Sequence, residues 1–538
     1  MKKLSLFLSA ILMMFAQGCG KSNDFECLNI QAENEYLVPV RPGYEGKSSW
    51  WNKYSPKFIY APAFNAKEVE GAASYRFTIT AQAGGEQLAS FESDLPTTSL
   101  AQVWNKIPVG NVHLAIEATD SKGNVLQRVY EKDFLRDFPF SGPYPEAPRS
   151  YSEAARKALL FVHRQPYVQK WLDSAEPDMS YFLYSYPAKI VSAVIDNECM
   201  LASLMPEYRD ECEAICRHCA DFLISQSRGP EDALAYFPPT YYGNRAASGD
   251  PANQGKTMTM EAVKAAQAFL NLYNLTEDES FKERAVGITR TYARLQTPEG
   301  AFPIKLDFET GEAACPGFGV PDPVMSLALR LRDEYGIDEF EEMAEKCEAW
   351  IRDVAMKTFD LTGQFEDTSV DVETHQNLTH WSATPYAMHL LSKENITKEE
   401  LSDALDLVRF CEDQFVYWDA LPASNGLKNI CTPCAYEQYK NDFIRFKGST
   451  EQFKYMTPID CSSANVMLAF VKCYEATGDL LMLQKAKALG DNLVATQDIM
   501  GKIPTIQSPY LPDFWINCQN YTVKVLLETE EIINKIRK

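Results

Sequence analysis

From Ser150 to Lys538 apolar residues recur at helical spacing, and the stretches that carry them alternate in character. One set has a polar face and a single apolar stripe, at about 152–173, 208–226, 277–296, 339–356, 398–414 and 480–496. The other set is poorer in charge, at about 187–204, 258–274, 323–335, 385–392, 462–476 and 518–534. Capping signals support the starts. Thr276-x-x-Glu279 and Thr397-x-x-Glu400 read as capping boxes, and Asp338 and Asp479 as N-caps. Pro187, Pro323 and Pro385 stand at the first helical position, where the missing N–H costs nothing. Before Ser150 the period is two. Tyr75, Phe77 and Ile79 alternate with polar neighbours, as do Val112, Leu114 and Ile116. With the turn Asp120-Ser-Lys-Gly-Asn124, this predicts a small antiparallel β-sandwich over residues 30–140.

Six helices buried on nearly all sides, alternating with six buried along one stripe, are what a closed (α/α)6 toroid requires over residues 151–538. The apolar helix leads to the next polar-faced one through a short link. The return link is long and rich in Gly, Pro and aromatic residues, so one rim would carry the loops that hold ligand groups. An open α-solenoid is the alternative, but it needs a polar terminal cap. The last helix, with Val523, Val525, Leu526 and Leu527, is not polar. The octet Gln296-Thr-Pro-Glu-Gly300-Ala-Phe-Pro303 returns as Gln497-Asp-Ile-Met-Gly501-Lys-Ile-Pro504, and in weaker form as Asp360-Leu-Thr-Gly363-Gln-Phe365. A repeat in the same context marks the turn of a repeated hairpin.

These octets resemble the Gln-x-x-Asp/Asn-Gly-x-Trp/Phe-Pro turns of six-hairpin toroids among carbohydrate-active enzymes, pectate-lyase-like and uronyl-epimerase-like. Similar turns occur in terpenoid-cyclase-like toroids, so the resemblance is architectural and does not fix a reaction. Residues 69–123 likewise resemble a fibronectin type III or immunoglobulin-like module. The N-terminus places Lys2 and Lys3 before an apolar run, Leu4 to Ala16, too short to span a bilayer. It ends in Ala16-Gln17-Gly18-Cys19, which resembles the lipobox of bacterial lipoproteins. That resemblance implies a signal peptide at 1–18, a lipid on Cys19, a tether at 19–29 and an outer-membrane anchor facing the periplasm or the cell surface. A plain secretory signal is the alternative. Residues 141–150, rich in Pro, read as a linker. Together these resemblances imply a glycan-degradation protein of a Gram-negative bacterium.

Composition narrows the partners. The 538 residues are 46% apolar and 23% charged with a net charge of −22, which argues against nucleic acid and leaves polysaccharide or oligosaccharide open. Nothing in the chain predicts an oligomeric state. The absence of a P-loop, a dinucleotide fingerprint, a Gly-x-Ser-x-Gly elbow and a His-Glu-x-x-His motif disfavours nucleotide cofactors and serine or zinc hydrolysis. No cofactor or metal is called for, with calcium left open. Without Cys19, 13 of the 14 cysteines remain, an odd number. The stripe Cys212, Cys216, Cys219 is expected to be buried and free, whereas Cys431-Thr-Pro-Cys434 is the one close pair in a loop.

Candidate chemistry falls in the long links. His375 and His380 in Glu373-Thr-His375-Gln-Asn377-Leu-Thr-His380-Trp381 can act as base or acid, with Asn377 and Trp381 as sugar contacts. The plain alternative is that they bond loop backbone. Tyr241 and Tyr242 can stack on sugar or protonate a leaving oxygen, and Arg245 and Lys256 can neutralise a uronate carboxylate. Arg445 and Lys447 stand in a basic, aromatic link, 416–460, whose alternative reading is a solvated hairpin. Asp322 and Asp460 begin apolar helices, and two rim carboxylates are what a glycosidase needs, although each is also explained as an N-cap. The leading expectation is therefore a uronate-polysaccharide lyase acting by β-elimination. A glycoside hydrolase and a non-catalytic glycan-binding lipoprotein are the alternatives.

Overall fold

A computed structural model describes residues 24–41, 50–244, 251–362, 374–419, 447–453, 455–506 and 514–536. The chain forms two compact units. The first holds 1–147, 356–361 and 373–493, and the second 148–355, 362–372 and 494–538.

In the first unit, helix α1 (Phe25–Glu35) is capped by Asp24, whose carboxylate accepts the Glu26 N–H. Residues 25–29, expected as tether, are thus helical. The period-two region forms β1 (Lys57–Phe58), β2 (Ser74–Thr80), β3 (Gln87–Ser93), β4 (Gly110–Thr119) and β5 (Val125–Arg136). They make one sheet in the order β1-β5-β4-β2-β3, with β1 parallel to β5 and the other pairs antiparallel. This corrects the sandwich, since the described strands of 30–140 lie in one mixed sheet instead of two packed ones. Alternation was read correctly, because Tyr75, Phe77, Ile79, Val112, Leu114 and Ile116 are all buried. Each such side chain contributes about 1.5–3 kcal/mol of burial.

Helices α9 (Thr384–Leu391), α10 (Lys398–Phe415) and α11 (Asp460–Thr477) pack together in the same unit, with a small sheet of β8 (Val416–Tyr417), β9 (Gly448–Gln452) and β10 (Tyr455–Ile459). The Thr397 capping box is formed in both directions. The end of α10 grips β1 and the residues after it. Asp413 accepts the N–H groups of Ile59 and Tyr60 at 2.6 and 2.8 Å, and Lys57 donates to the Val416 carbonyl at 2.6 Å. The predicted linker is packed as well, with Phe140 edge-on and Tyr144 stacked on Trp418.

The second unit is made of helical hairpins. It contains α2 (Tyr151–His163), α3 (Pro187–Leu204), α4 (Arg209–Gln226), α5 (Ala262–Thr276), α6 (Glu279–Leu295), α7 (Asp322–Tyr335), α8 (Glu341–Trp350) and α13 (Ile516–Ile536). Helix α12 (Leu480–Ala495) precedes the second octet. The helix expected at 152–173 stops at His163, because Pro166 cannot donate to the ladder and restricts the residue before it. Helix α6 is capped by Asp278, while Thr276 ends α5, so the capping box read there does not form. Nor does Asp338 cap α8, whose N-cap is Phe340, and a π-helical turn, 351–355, follows that helix.

Hydrogen bonds at matched depths show that the apolar helices of this unit run parallel. Asn271 of α5 donates to Asp196 of α3, Arg330 of α7 donates to Gln267 and Asn271 of α5, and Asn520 of α13 donates to the Ala193 carbonyl of α3. Each pairs a residue about one to three turns into its helix with one at a similar depth in its neighbour. The N-terminal ends of α3, α5, α7 and α13 therefore lie at one end of the unit.

The octets act as staples between hairpins. Gln296 donates to the Gly300 and Met343 carbonyls, and Gln497 to those of Gly501 and Ala154. Gly300 has φ +96° and lies against the Lys346 carbonyl of α8, while Gly501 has φ +103° and lies against the Lys157 carbonyl of α2. The turn after α6 thus docks on α8, the next polar-faced helix, and the turn after α12 docks in the same way on α2, the first. Helix α13 then packs against α2 and α3. The third, weaker octet runs into Gly363, outside the described residues.

Candidate functional site

The parallel helix starts of the second unit make a rim. Helix α3 begins with Pro187 after Tyr186, and its first turn carries Lys189, a buried cation in an otherwise apolar turn. The Lys189 ammonium stands 5.3 Å from the Tyr186 ring centroid and 5.4 Å from that of Trp515, the residue preceding α13. Ring faces attract a cation by about 0.5–2 kcal/mol, more when water is excluded. The Tyr241 ring lies 6.0 Å from that of Tyr186, tilted against it. The backbone is fixed around these groups. The Tyr181 hydroxyl donates to the Phe514 carbonyl and accepts the Ile516 N–H, Trp515 donates its N–H to Thr505, and Tyr242 donates its N–H to the Ser185 carbonyl. The result is a cation walled by aromatic faces, with Trp515, Tyr241 and Tyr242 half-buried.

Two of the sequence candidates fall beside this group. Tyr241 belongs to it, and Tyr242 packs edge-on against Phe222, 5.3 Å away, which makes the second tyrosine a packing residue in its ring and a tie in its backbone. Lys256 is in β6 (Lys256–Met258), opposite Asp307 of β7 (Lys305–Asp307). Asp322 is the first residue of α7, after the N-cap Pro321, so the N-cap explanation for it fails. Its carboxyl is buried, and desolvation holds its pKa well above the usual carboxylate range. A carboxyl kept neutral in this way can give up a proton. Arg245 lies outside the described residues, as do Arg445, Cys19, Cys431 and Cys434.

The remaining candidates belong to the first unit. His375, at φ +69°, is buried and bonded through Nε2 to the Thr358 carbonyl at 2.9 Å. Burial lowers its pKa. His380 has no exposed surface, and burial pushes its pKa down to about 3. Asn465 donates to its Nδ1 at 2.7 Å and to Thr384 at 2.6 Å, which leaves the ring proton on Nε2. Nε2 has no hydrogen-bond partner among the described residues, and the ring packs against Trp381 and Phe415. Asn377 donates to the Gln452 side chain and Thr379 to the Glu451 carbonyl, sewing this segment to β9. Trp381 is half-buried. Asp460 is the first residue of α11, after the N-cap Ile459, and fully buried, so here too the N-cap explanation fails. Lys447 lies over the Tyr144 ring at 4.4 Å. Asn377, His375 and His380 are thus bonded into the interior of their unit, and the sequence reading had not singled out Lys189 or Trp515. The available signal was a lone cation in the first turn of a helix otherwise poor in charge.

No protein-family model and no curated protein matches the chain. It is similar in structure to cellobiose 2-epimerase from Spirochaeta thermophila, with a TM-score of 0.49 and 10% identity over 72% of this chain and 98% of that one. It is also similar to a family 76 glycoside hydrolase from a bovine Bacteroides thetaiotaomicron strain, with a TM-score of 0.46 and 11% identity over 88% and 96%. An unsaturated glucuronyl hydrolase specific for heparin gives 0.45 and 9% over 71% and 98%. None of these likenesses assigns a role to a residue of this chain.

Proposed function

We propose that this chain is a glycan-processing protein built on a closed (α/α)6 toroid, taking an anionic saccharide at the rim where α3, α5, α7 and α13 begin. The observation that carries this reading is Lys189 against the Tyr186 and Trp515 rings, with Tyr241 beside Tyr186. Flat aromatic faces stack on sugar rings, and a water-poor ammonium neutralises a carboxylate better than an exposed one does. Ring closure rests on the second octet, which joins the last hairpin turn to α2 by the same bonds that the first octet makes to α8.

Asp322 favours hydrolysis as the reaction. A rim carboxyl that burial keeps protonated is suited to donate to the leaving oxygen of a glycosidic bond. β-Elimination by His375 or His380 is less well served, because one ring is tied to a backbone carbonyl and the other is enclosed and neutral. Elimination with Tyr241 as the acid is the second reading, favoured by its place beside Tyr186, which also contacts Lys189. In either case the lipobox-like segment ending at Cys19 would hold the protein at the outer membrane. No helix among the described residues is long and apolar enough to cross a membrane.

The test is incubation of the full chain with uronate-containing polysaccharides, reading new reducing ends and the ultraviolet absorbance of unsaturated uronate separately. Reducing ends without that absorbance, abolished by Asp322→Asn, would support hydrolysis. Both signals together, surviving Asp322→Asn and lost in Tyr241→Phe, select elimination. Binding without either signal, lost in Trp515→Ala, leaves a glycan-binding protein. Binding unaffected by Lys189→Met and Trp515→Ala would remove the proposed site.

A further inference from the structure

The far end of the same unit holds a second cluster. His163 ends α2, Glu198 lies in the last two turns of α3, and Cys212 lies in the first turn of α4. Glu198 is nine residues from Lys189, which at about 1.5 Å per residue puts it about 13 Å down the helix from the rim. One ligand atom from each of His163, Glu198 and Cys212 lies within 4.8 Å of the others, and all three residues are buried. From sequence alone Cys212 is expected only to be buried and free.

The surroundings are those of a prepared coordination site. His163 faces Glu198 through Nδ1 at 2.7 Å, and its other nitrogen, Nε2, stands 3.3 Å from the Glu211 carboxylate. A carboxylate on the second nitrogen orients the ring and fixes its tautomer, as it does for metal-bound histidines generally. The second oxygen of Glu198 accepts from Asn197 at 2.9 Å, so the carboxylate is held in place too. The Cys212 thiol is buried within 4.8 Å of the facing Glu198 and His163 atoms. A packing role asks nothing of this mixture, whereas nitrogen, oxygen and sulfur donors converging from three helices are what a borderline divalent ion takes.

We propose that His163, Glu198 and Cys212 bind a zinc ion that joins the ends of α2, α3 and α4. A carboxylate and a thiolate balance the two positive charges, so the loaded site is neutral in its buried surroundings. Three protein donors leave one tetrahedral position for water. The site lies at the opposite end of α3 from the aromatic rim, so it is independent of the saccharide reading.

The test uses the full chain, stripped with a chelator and titrated with Co(II) or Zn(II) chloride alone. The expected result is one Co(II) per chain with a thiolate-to-cobalt charge-transfer band, displaced by Zn(II), and a thermal midpoint raised by Zn(II). Cys212→Ser should abolish the band, and His163→Gln should weaken affinity by more than the 10–100-fold typical of an outer-shell change. Cys219→Ala, a change in the same helix outside the cluster, should keep both the band and the affinity. Folded native protein that shows no such band, or a band that persists in Cys212→Ser, overturns the site. Should Cys212→Ser not fold, His163→Gln and the native titration decide in the same way.

Discussion

Replacing Gly501 by alanine tests the closing staple directly. Gly501 has φ +103°, and a Cβ there would stand 2.3 Å from the Lys157 carbonyl oxygen and 2.7 Å from its carbon. Ordinary contacts begin near 3.4 Å, so the turn or α2 has to withdraw by about an ångström. Both obstructing atoms are helix backbone, which cannot rotate aside. Withdrawal also stretches the 2.8 Å bond from Gln497 to the Ala154 carbonyl. The left-handed conformation costs an L-residue about 1–2 kcal/mol. Forced overpacking adds about 1–3 kcal/mol, giving about 2–5 kcal/mol in all. Gly478 supplies the control, with φ +72° and nothing within 4 Å of its Cβ, so its alanine variant bears only the conformational part. Urea unfolding of the full chain, followed by tryptophan fluorescence, compares the two midpoints. The reasoning predicts a clearly larger loss for Gly501→Ala, matched by Gly300→Ala, whose Cβ would meet the Lys346 carbonyl oxygen at 2.2 Å. Equal losses for Gly501→Ala and Gly478→Ala would refute the staple as a close contact.

Other expectations follow from single groups. Burial lowers the His380 pKa from 6.5 to about 3, so the unfolded chain binds the extra proton. Its contribution to stability is full above pH 6.5 and is lost as pH falls toward 3, by roughly 4–5 kcal/mol at about 1.4 kcal/mol per unit. His380→Gln should flatten that part of the stability–pH curve, and an unchanged slope would show that the ring is not the source. Asp322 is shifted the other way. Its carboxyl is favoured in the fold while protonated, and that advantage is lost as pH rises through its raised pKa, so Asp322→Asn should gain stability relative to native protein at neutral pH but not in acid. Thr397→Ala removes a two-way capping box and should cost about 1 kcal/mol in the same unfolding assay. Lys189→Met should weaken binding of an anionic oligosaccharide by about 10–100-fold, as losing a hydrogen bond to a charged partner does, while a neutral oligosaccharide of equal length should be little affected in calorimetry.

Helix starts were legible because their causes are local. Proline, first in α3 and second instead of first in α7 and α9, and the Thr397 box each act within one turn. Strand alternation was equally local, but the number of sheets is not a local property, and β1 joins its sheet through only two residues, parallel to a strand far along the chain. Helix α1 was hidden because its sparse buried residues, Leu28, Gln31 and Ala32, are set among acidic and amide side chains. The placing of Asp322 and Asp460 inside their helices instead of at the cap is a one-residue difference, and caps are not fixed that finely by sequence. The histidine loop misled for a physical reason, since the polar side chains that make a loop look reactive are also those that tie it to the Thr358 carbonyl and to β9.

The rim depends on order that no local pattern contains. Lys189 and Trp515 are neighbours only because α3 and α13 run parallel, and their depth is set by polar side chains inside the bundle such as Asn520 on the Ala193 carbonyl. Helix α13 is held in turn by Gln519, which donates to the Ala158 carbonyl of α2 and accepts the Ile503 N–H just past the second octet. The octet therefore does more than count hairpins. Its glycine sets how closely the turn approaches α2, and its chain leads through Ile503 to the helix that presents Trp515. A change that pushes Gly501 off α2 should loosen the aromatic wall around Lys189 without touching either residue, so saccharide affinity should fall in Gly501→Ala and hold in Gly478→Ala. Affinity equal in the two variants would mean that the rim is set by the bonds between α3 and α13 alone.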